Sequence, residues 1–302
     1  MEYDIVIIGA GTAGLSAAVY GVRAGLSVLV IEENIHGGQI INTPDIVNYP
    51  AIELISGFDF ANNLYNHAKN LGAEIVYESI ESIDLGRGVK RITTASQTYL
   101  AKTVIIANGA RHRELECEGE AQFKGRGGSY CATCDGNFYR GKDVCVAGGG
   151  NTALEDALYL SNICTNVHLI HRRSEFRAHK TTVDKVRERS NIILHLGYQI
   201  VKISGEQSVN RVTIQRPGEQ KELNVSGVFV AIGLKPDNGM FSKWVNLDPA
   251  GYIIAGEDCK TNVPGVFVAG DTRTKSLRQL ITAASDGAVA ATECARHINT
   301  IG

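Results

Sequence analysis

Cys131 and Cys134 stand two residues apart in the stretch SYCATCDGNFYRGK, and Asp135 follows at once. Three chemistries use such a pair: a metal site, a structural staple, or a dithiol that exchanges electrons. A structural zinc site needs four ligands, typically a second cysteine pair or two closely spaced histidines. The chain has seven cysteines and eight histidines, with no second close pair and no metal-ligand spacing around this one. Inert buried thiols differ from reactive ones by their surroundings, which spacing does not display. The redox reading fits the residues best. Two thiols at this spacing close a small disulfide ring and reopen it, and exchange requires a leaving thiolate to be protonated. Asp135 is placed to deliver that proton as a general acid. Its plain alternative is a turn residue before Gly136, since Asp-Gly is a common turn pair.

Such a dithiol needs an electron source, and the chain carries two nucleotide-binding signatures. Residues 4–33 (DIVIIGAGTAGLSAAVYGVRAGLSVLVIEE) and residues 143–172 (DVCVAGGGNTALEDALYLSNICTNVHLIHR) match each other. Each reads as an apolar buried strand, a glycine turn, an alanine-rich helix and a second strand. The first turn runs Gly9, Gly11, Thr12, Ala13, Gly14, and the second runs Gly148, Gly150, Asn151, Thr152, Ala153. The leading glycine permits the tight turn, the second lets a pyrophosphate approach, and the third small residue lets helix pack on strand. The helix N-terminus then offers free N–H groups to the phosphates.

The second strands of the two units end differently. The first ends in Glu32 and Glu33, carboxylates suited to a free ribose 2′-hydroxyl, as in FAD or NAD. The second ends in HRRSEFR, with His171, Arg172, Arg173 and Arg177. Arginines pair with a 2′-phosphate that a carboxylate would repel, so this end is expected to take NADPH. The alternative is an ordinary solvated basic face. NADPH gives up a hydride, which a disulfide does not readily accept, so a flavin between them completes a path from nicotinamide to disulfide.

The elements that position these groups suggest an α/β protein of two Rossmann-like, three-layer ββα dinucleotide-binding domains, the second inserted into the first. The expected division is 1–111 with 244–302 for the FAD domain and 112–243 for the NADPH domain carrying the cysteine pair. The joins GARHRELECEG and KPDNGM are turn-rich and suit hinges. The strands TVIIANGA and GVFVAIGL resemble each other and place Ala107 with Gly109, and Ile232 with Gly233, at equivalent cofactor-facing ends. Near the C-terminus, VPGVFVAGDTRTKSLRQLITAASDGAVAA returns to the dinucleotide theme. Gly270 and Asp271 end its strand, and Asp271 can accept from sugar hydroxyls. The helix after Leu277 has a small-residue face that can approach a flat cofactor.

Composition bounds the alternatives. Of 302 residues, 44% are hydrophobic and 21% charged, and the net charge is −2 with no basic block, so nucleic acid is not an expected partner. No apolar run reaches the ~20 residues of a membrane span. The N-terminus lacks a basic region and a cleavage pattern, so a cytoplasmic location is expected, where disulfides are usually catalytic.

Together these segments resemble the low-molecular-weight bacterial thioredoxin reductases over essentially the whole chain. CATCDG is similar to that family's redox motif, GGGNTA and HRRSEFR to its NADPH motifs, and GGQIINTPDIVNYP and AGDTRTKSLRQLITAASDGAVAA to its FAD segments. The resemblance implies thioredoxin-disulfide reduction with FAD and NADPH. It implies further FAD contacts at Gly38, Gln39, Asn48, Asp271, Arg278, Gln279 and Leu280. It makes Cys134 the thiol nearest the flavin, Cys131 the one that attacks the partner disulfide, and Asp135 the acid. It also implies a homodimer through the FAD domains and a large rotation of the NADPH domain. Asn151 stands where many members have an acidic residue, and Asn108 where threonine is usual. Other disulfide partners, such as a glutaredoxin-like protein or a peroxidase, remain alternatives, as does a nucleotide-holding redox sensor without turnover. A ferredoxin-fed variant ranks below these, because all three arginines are kept.

Overall fold

The computed structural model describes residues 2–301 except 44 and 87. Pro44, which lies in the FAD-like segment 37–50, and the terminal residues Met1 and Gly302 are therefore outside the described residues. Two compact units form, Met1–Arg111 with Lys235–Gly302, and His112–Leu234. Residues 235–243, read from the sequence as the end of the insertion, group with the first unit.

In chain order the first unit begins with β1 (Glu2–Ile8), α1 (Thr12–Arg23), β2 (Val28–Glu32), α2 (Gly57–Leu71) and β3 (Glu74–Tyr77). β4 (Ile80–Asp84), β5 (Lys90–Thr94), β6 (Thr98–Ile106) and β7 (Ala110–His112) follow. The second unit holds α3 (Glu120–Phe123), β8 (Gly128–Ser129), α4 (Ala132–Asp135), β9 (Asp143–Ala147), α5 (Asn151–Ser161) and β10 (Asn166–His171). It continues with α6 (Lys180–Glu188), β11 (Ile192–Leu196), β12 (Gln199–Gly205), β13 (Val209–Arg216), β14 (Glu219–Asn224) and β15 (Gly227–Val230). β16 (Leu234–Pro236) leads back to β17 (Val266–Val268) and α7 (Leu280–Ile301) of the first unit.

The first sheet runs β3-β2-β1-β6-β5-β4, with β17 also on β6. β1 pairs in parallel with β2 (Ile8↔Ile31) and with β6 (Ile8↔Ile106), whereas β4, β5 and β6 form an antiparallel meander. The continuous apolar runs make sense once both faces are covered. Along β1, Ile5 and Ile7 enter the core beneath α1 and α7, while Val6 and Ile8 enter the opposite core with Ile92, Tyr99 and Ile253. Strand side chains alternate, so a strand buried on both sides reads as unbroken hydrophobicity. Each fully buried side chain of this size contributes about 1.5–3 kcal/mol. The small residues of α7 let it come very close to α1: a Cβ on Gly287 would lie 2.2 Å from the Ala13 carbonyl oxygen. Ser16 donates to the Ala284 carbonyl across the same contact, at 2.7 Å.

The second unit repeats the plan. Its parallel sheet runs β11-β10-β9-β15-β8, with β12-β13-β14 as an antiparallel layer. Val144 and Val146 of β9 face the core under α5 and α6, and Cys145 and Ala147 face the core under β12 and β13. Among the described residues, no helix is long and apolar enough to cross a membrane.

Candidate functional site: a disulfide turn and two glycine-capped helices

Cys131 and Cys134 are joined in a disulfide, with Cα atoms 5.3 Å apart. The pair spans the one-turn helix α4, with Cys131 at its N-cap in extended conformation. Cys131 is half-buried, and its Sγ lies 3.4 Å from the Thr133 hydroxyl. Asp135 accepts a 2.6 Å hydrogen bond from the Ser129 hydroxyl. The Cys131 N–H donates to the same Ser129 oxygen at 3.1 Å. Spacing alone did not single out Ser129; its only signal was a hydroxyl residue two places before the cysteine.

The remaining cysteines are free. Burial pushes the thiols of Cys117 and Cys164 up to about 11 and that of Cys259 up to about 12. Burial raises Cys145 and Cys294 further still. Five neutral thiols are poor nucleophiles, so reactive sulfur chemistry is confined to the 131–134 pair.

At the carboxyl ends of β1, β2, β6 and β17 the first unit gathers its predicted residues. Gly9 has φ +103°, and a Cβ there would sit 2.5 Å from the Ala107 carbonyl oxygen. A Cβ on Gly14 would lie 1.9 Å from the Gly9 oxygen, whereas one on Gly11 meets nothing within 4 Å. The turn is thus packed below and open above, the shape a pyrophosphate needs. Gly11 also caps α1, with no side-chain cap, so the first-turn N–H groups of Thr12 and Ala13 remain available to an anion. Glu32 is fixed by two backbone donors, Ala10 N–H at 2.8 Å and Asn34 N–H at 3.1 Å. Glu33 turns elsewhere and accepts from Ser79 at 3.2 Å. Gly38 approaches the turn, its notional Cβ 3.3 Å from the Gly11 Cα. Gln39 donates to the Ala110 carbonyl, close to Gly109, and Asn48 donates to Gln279 at 3.0 Å.

Asp271 carries a buried Oδ1 without a hydrogen-bond partner. Burial raises its pKa, against the opposing pull of Lys275 and Arg278. Arg278 stacks 4.2 Å from the Tyr252 ring centre and donates to the Arg273 carbonyl at 3.2 Å, just before Leu280 opens α7. Asn108 is a second buried acceptor. Its Nδ2 donates to the Asp237 carbonyl and to Asn238 Oδ1, which leaves its Oδ1 without a donor. Two such orphaned acceptors in one place are uncommon in a native interior and mark a site built for a ligand's hydroxyl or N–H groups.

Beneath Asp271 lies a group that the sequence did not reveal. Asp286 of α7 accepts from the Gly270 N–H at 2.9 Å, from Arg273 at 2.9 and 2.8 Å, and from Lys275 at 2.9 Å. All three side chains are buried. Its signal in the sequence was a carboxylate set within the small-residue run ITAASDGAVAA of α7.

In the second unit, Gly148 has φ +155°, and a Cβ there would meet the Ala231 oxygen at 2.4 Å and the Ala153 Cβ at 2.5 Å. A Cβ on Gly150 would meet nothing within 4 Å, and Gly150 caps α5, again without a side-chain cap. His171 is buried, packs against Phe176 and bonds to the Glu175 carbonyl at 3.0 Å. Its ring fills the space over Gly149, and burial followed by the nearby arginines lowers its pKa, so it is a neutral wall of the loop. Arg172, Arg173 and Arg177 are exposed, and among the described residues none has an acidic partner. The Arg177 N–H donates to the Gly149 carbonyl at 2.8 Å, and Asn151 Oδ1 accepts from the His179 N–H at 2.8 Å. These bonds hold the basic loop beside the glycine turn, where Thr152 is exposed. At the neighbouring strand end Ile232 is exposed, and Gly233 turns the chain with φ +108°.

Comparison with known proteins follows the same lines. The sequence profile described as pyridine nucleotide-disulphide oxidoreductase matches residues 3–287. A thioredoxin reductase of Treponema pallidum is 43% identical, with 99% of this chain and 98% of that one covered. A thioredoxin reductase of Listeria monocytogenes is 39% identical, with 99% and 95% covered. Among solved structures, thioredoxin reductase from Streptococcus pyogenes aligns with a TM-score of 0.93 at 38% identity, covering 99% of both chains.

Proposed function

This chain belongs to the pyridine nucleotide-disulphide oxidoreductase family, and on that premise we propose that it is a thioredoxin-disulfide reductase working through Cys131 and Cys134. The cofactors are FAD and NADPH. Bound flavin supplies a carrier that accepts a hydride from the nicotinamide and passes electrons on to sulfur.

The first unit's residues fit FAD. The N–H groups at the start of α1 face the pyrophosphate above Gly11, and Glu32 takes the adenosine ribose. The orphaned Oδ1 atoms of Asp271 and Asn108 accept from polyol hydroxyls or a ring N–H. Gly38, Gly109, Gly270 and Leu280 bring backbone close to the cofactor, with Gln39, Asn48, Arg278 and Gln279 around it. In the second unit the start of α5 takes the NADPH pyrophosphate, and Arg172, Arg173 and Arg177 take the 2′-phosphate. His171 contributes packing only.

Cys131, the more N-terminal thiol, attacks the thioredoxin disulfide. Cys134 resolves the mixed disulfide, and Asp135 protonates the departing thiolate. A homodimer through the first unit and a cytoplasmic location belong to the same reading. The observation that carries it is the closed Cys131–Cys134 disulfide with Asp135 anchored beside it. The test is NADPH-dependent reduction of a purified thioredoxin by Cys131→Ser and Cys134→Ser proteins. Both should lose turnover while retaining flavin; turnover by either would sink the assignment.

A further inference from the structure

We propose that Ser129 is a positioning residue for the redox turn: its hydroxyl ties the Cys131 peptide to the Asp135 carboxyl and sets the orientation in which that carboxyl transfers its proton. The inference rests on the reading of Asp135 as the acid and deepens it. Ser129 ends β8 and is only 4% exposed. Its single hydroxyl hydrogen has two acceptors in range, Asp135 Oδ2 at 2.6 Å and the Cys131 carbonyl at 3.3 Å. The shorter bond, to a carboxyl, is the stronger. The hydroxyl oxygen in turn accepts the Cys131 N–H at 3.1 Å. A chain of two hydrogen bonds therefore runs from the Cys131 N–H through Ser129 Oγ to Asp135 Oδ2.

The donor is fixed from behind. β8 pairs with β15 at Val228↔Gly128 and Phe229↔Ser129. A Cβ on Gly128 would lie 2.9 Å from the Phe123 carbonyl oxygen, so the strand packs closely there and admits no larger residue. The cysteines can change partners while the oxygen between them and Asp135 stays in place.

With Oδ2 engaged by a donor, the Asp135 carboxyl is held in one orientation. The cycle then balances. In the reduced enzyme the two dithiol protons reside on Cys134 and Asp135, and Cys131 is the thiolate. Cys131 attacks the partner's disulfide, one S–S bond breaks as another forms, and the departing thiolate takes the Asp135 proton. Asp135 then accepts the Cys134 proton. Cys134 attacks Cys131 Sγ, and the partner's second thiolate takes the proton from Asp135. Two electrons and two protons leave the dithiol, and the partner leaves as a dithiol.

Other titratable groups near the turn are Tyr139, raised by burial and then by Asp135, and those of α5, which packs on α4. α5 carries Tyr159 against Gly136, together with Glu155 and Asp156. Burial, then Glu155, pushes Asp156 up to about 7. These groups are common to wild type and variant, so the test is a difference between pH profiles.

The experiment measures kcat/KM for thioredoxin against pH in wild type, Ser129→Ala, Ser129→Thr and Asp135→Asn proteins of equal flavin content and melting temperature. Removing a donor to the carboxylate destabilises its charged form and raises its pKa. Ser129→Ala should lower kcat/KM by roughly 10- to 100-fold. Its basic limb should move up by about one pH unit, with KM for NADPH unchanged. Ser129→Thr keeps the hydroxyl and should return the limb to its wild-type place. A Ser129→Ala profile superimposable on wild type, beside an impaired Asp135→Asn protein, overturns the role of Ser129 alone. Wild-type rates in Asp135→Asn overturn the acid itself, and the present inference with it.

Discussion

Asp286→Asn isolates the buried charge cluster beneath Asp271. In the native protein one carboxylate receives four hydrogen bonds, two from Arg273 and one each from Lys275 and the Gly270 N–H. The side chains of Arg273, Lys275 and Asp286 are 3%, 5% and 7% exposed, so solvent screening removes little of their interaction. The amide keeps the shape but removes the buried counter-charge of both cations, leaving Arg273 only the exposed Glu257 at 3.7 Å. Breaking a buried pair in this way costs about 3–5 kcal/mol. For a unit of this size each kcal/mol moves Tm by about 2–4 °C, so a fall of about 6–20 °C is expected. Burial alone would raise the Asp286 pKa, but its bonds to Arg273 and Lys275 outweigh it and hold the carboxyl below the ordinary aspartate value. A depressed folded-state pKa gives stability that is present above the unfolded value of about 3.9 and lost as pH falls through the lower folded one. The Tm gap between wild type and variant should therefore be wide at neutral pH and narrow in acid. The assay is thermal unfolding over a pH series, followed by flavin fluorescence and by far-ultraviolet circular dichroism. A second substitution, Arg273→Met on the Asp286→Asn background, removes one orphaned cation and should recover part of the loss. A drop of less than about 3 °C, near 1 kcal/mol, or a double variant no better than the single, would refute the account.

Two further outcomes test the nucleotide ends. Arg172→Ala should raise KM for NADPH by about 10–150-fold, the worth of one charge-assisted pair, and leave KM for NADH nearly unchanged; equal losses with both would mean the loop does not read a phosphate. Asp271→Ala should weaken FAD binding to the apoprotein by roughly 10-fold or more, measured by titrating flavin fluorescence, whereas unaltered affinity would remove Asp271 from the site.

Much of the architecture was legible in the sequence because it was written twice. Residues 4–33 and 143–172 share one pattern, and both became strand, bare glycine turn and helix. The unbroken apolar run Ile5–Ile8 pointed to a strand covered on both faces, and its side chains do alternate between two cores. Local patterning could not foresee where polar side chains end up. Glu32 and Glu33 are equivalent in composition, yet Glu32 ends β2 and reaches the glycine turn, while Glu33, past the strand end, turns to Ser79. His171 sits among arginines in sequence but is drawn inward by Phe176 and the Glu175 carbonyl. The Asp286 cluster joins residues thirteen and sixteen positions apart across a turn and the start of a helix. The Asn108–Asn238 bond spans the entire inserted unit. Such links depend on tertiary closure, which no window of sequence contains.

The glycine caps of α1 and α5 carry a last implication. A serine or aspartate at either place would have capped the helix with its own side chain, by a few tenths of a kcal/mol relative to the glycine present. Leaving that role to a nucleotide makes each helix's opening turn a debtor to whatever the cell supplies. Ligands that grip only the folded chain deepen its free-energy well by mass action. The lifetime of the polypeptide against proteases is thereby linked to vitamin supply: newly made chains meeting scarce flavin open more often at the start of α1, and chains meeting plenty endure.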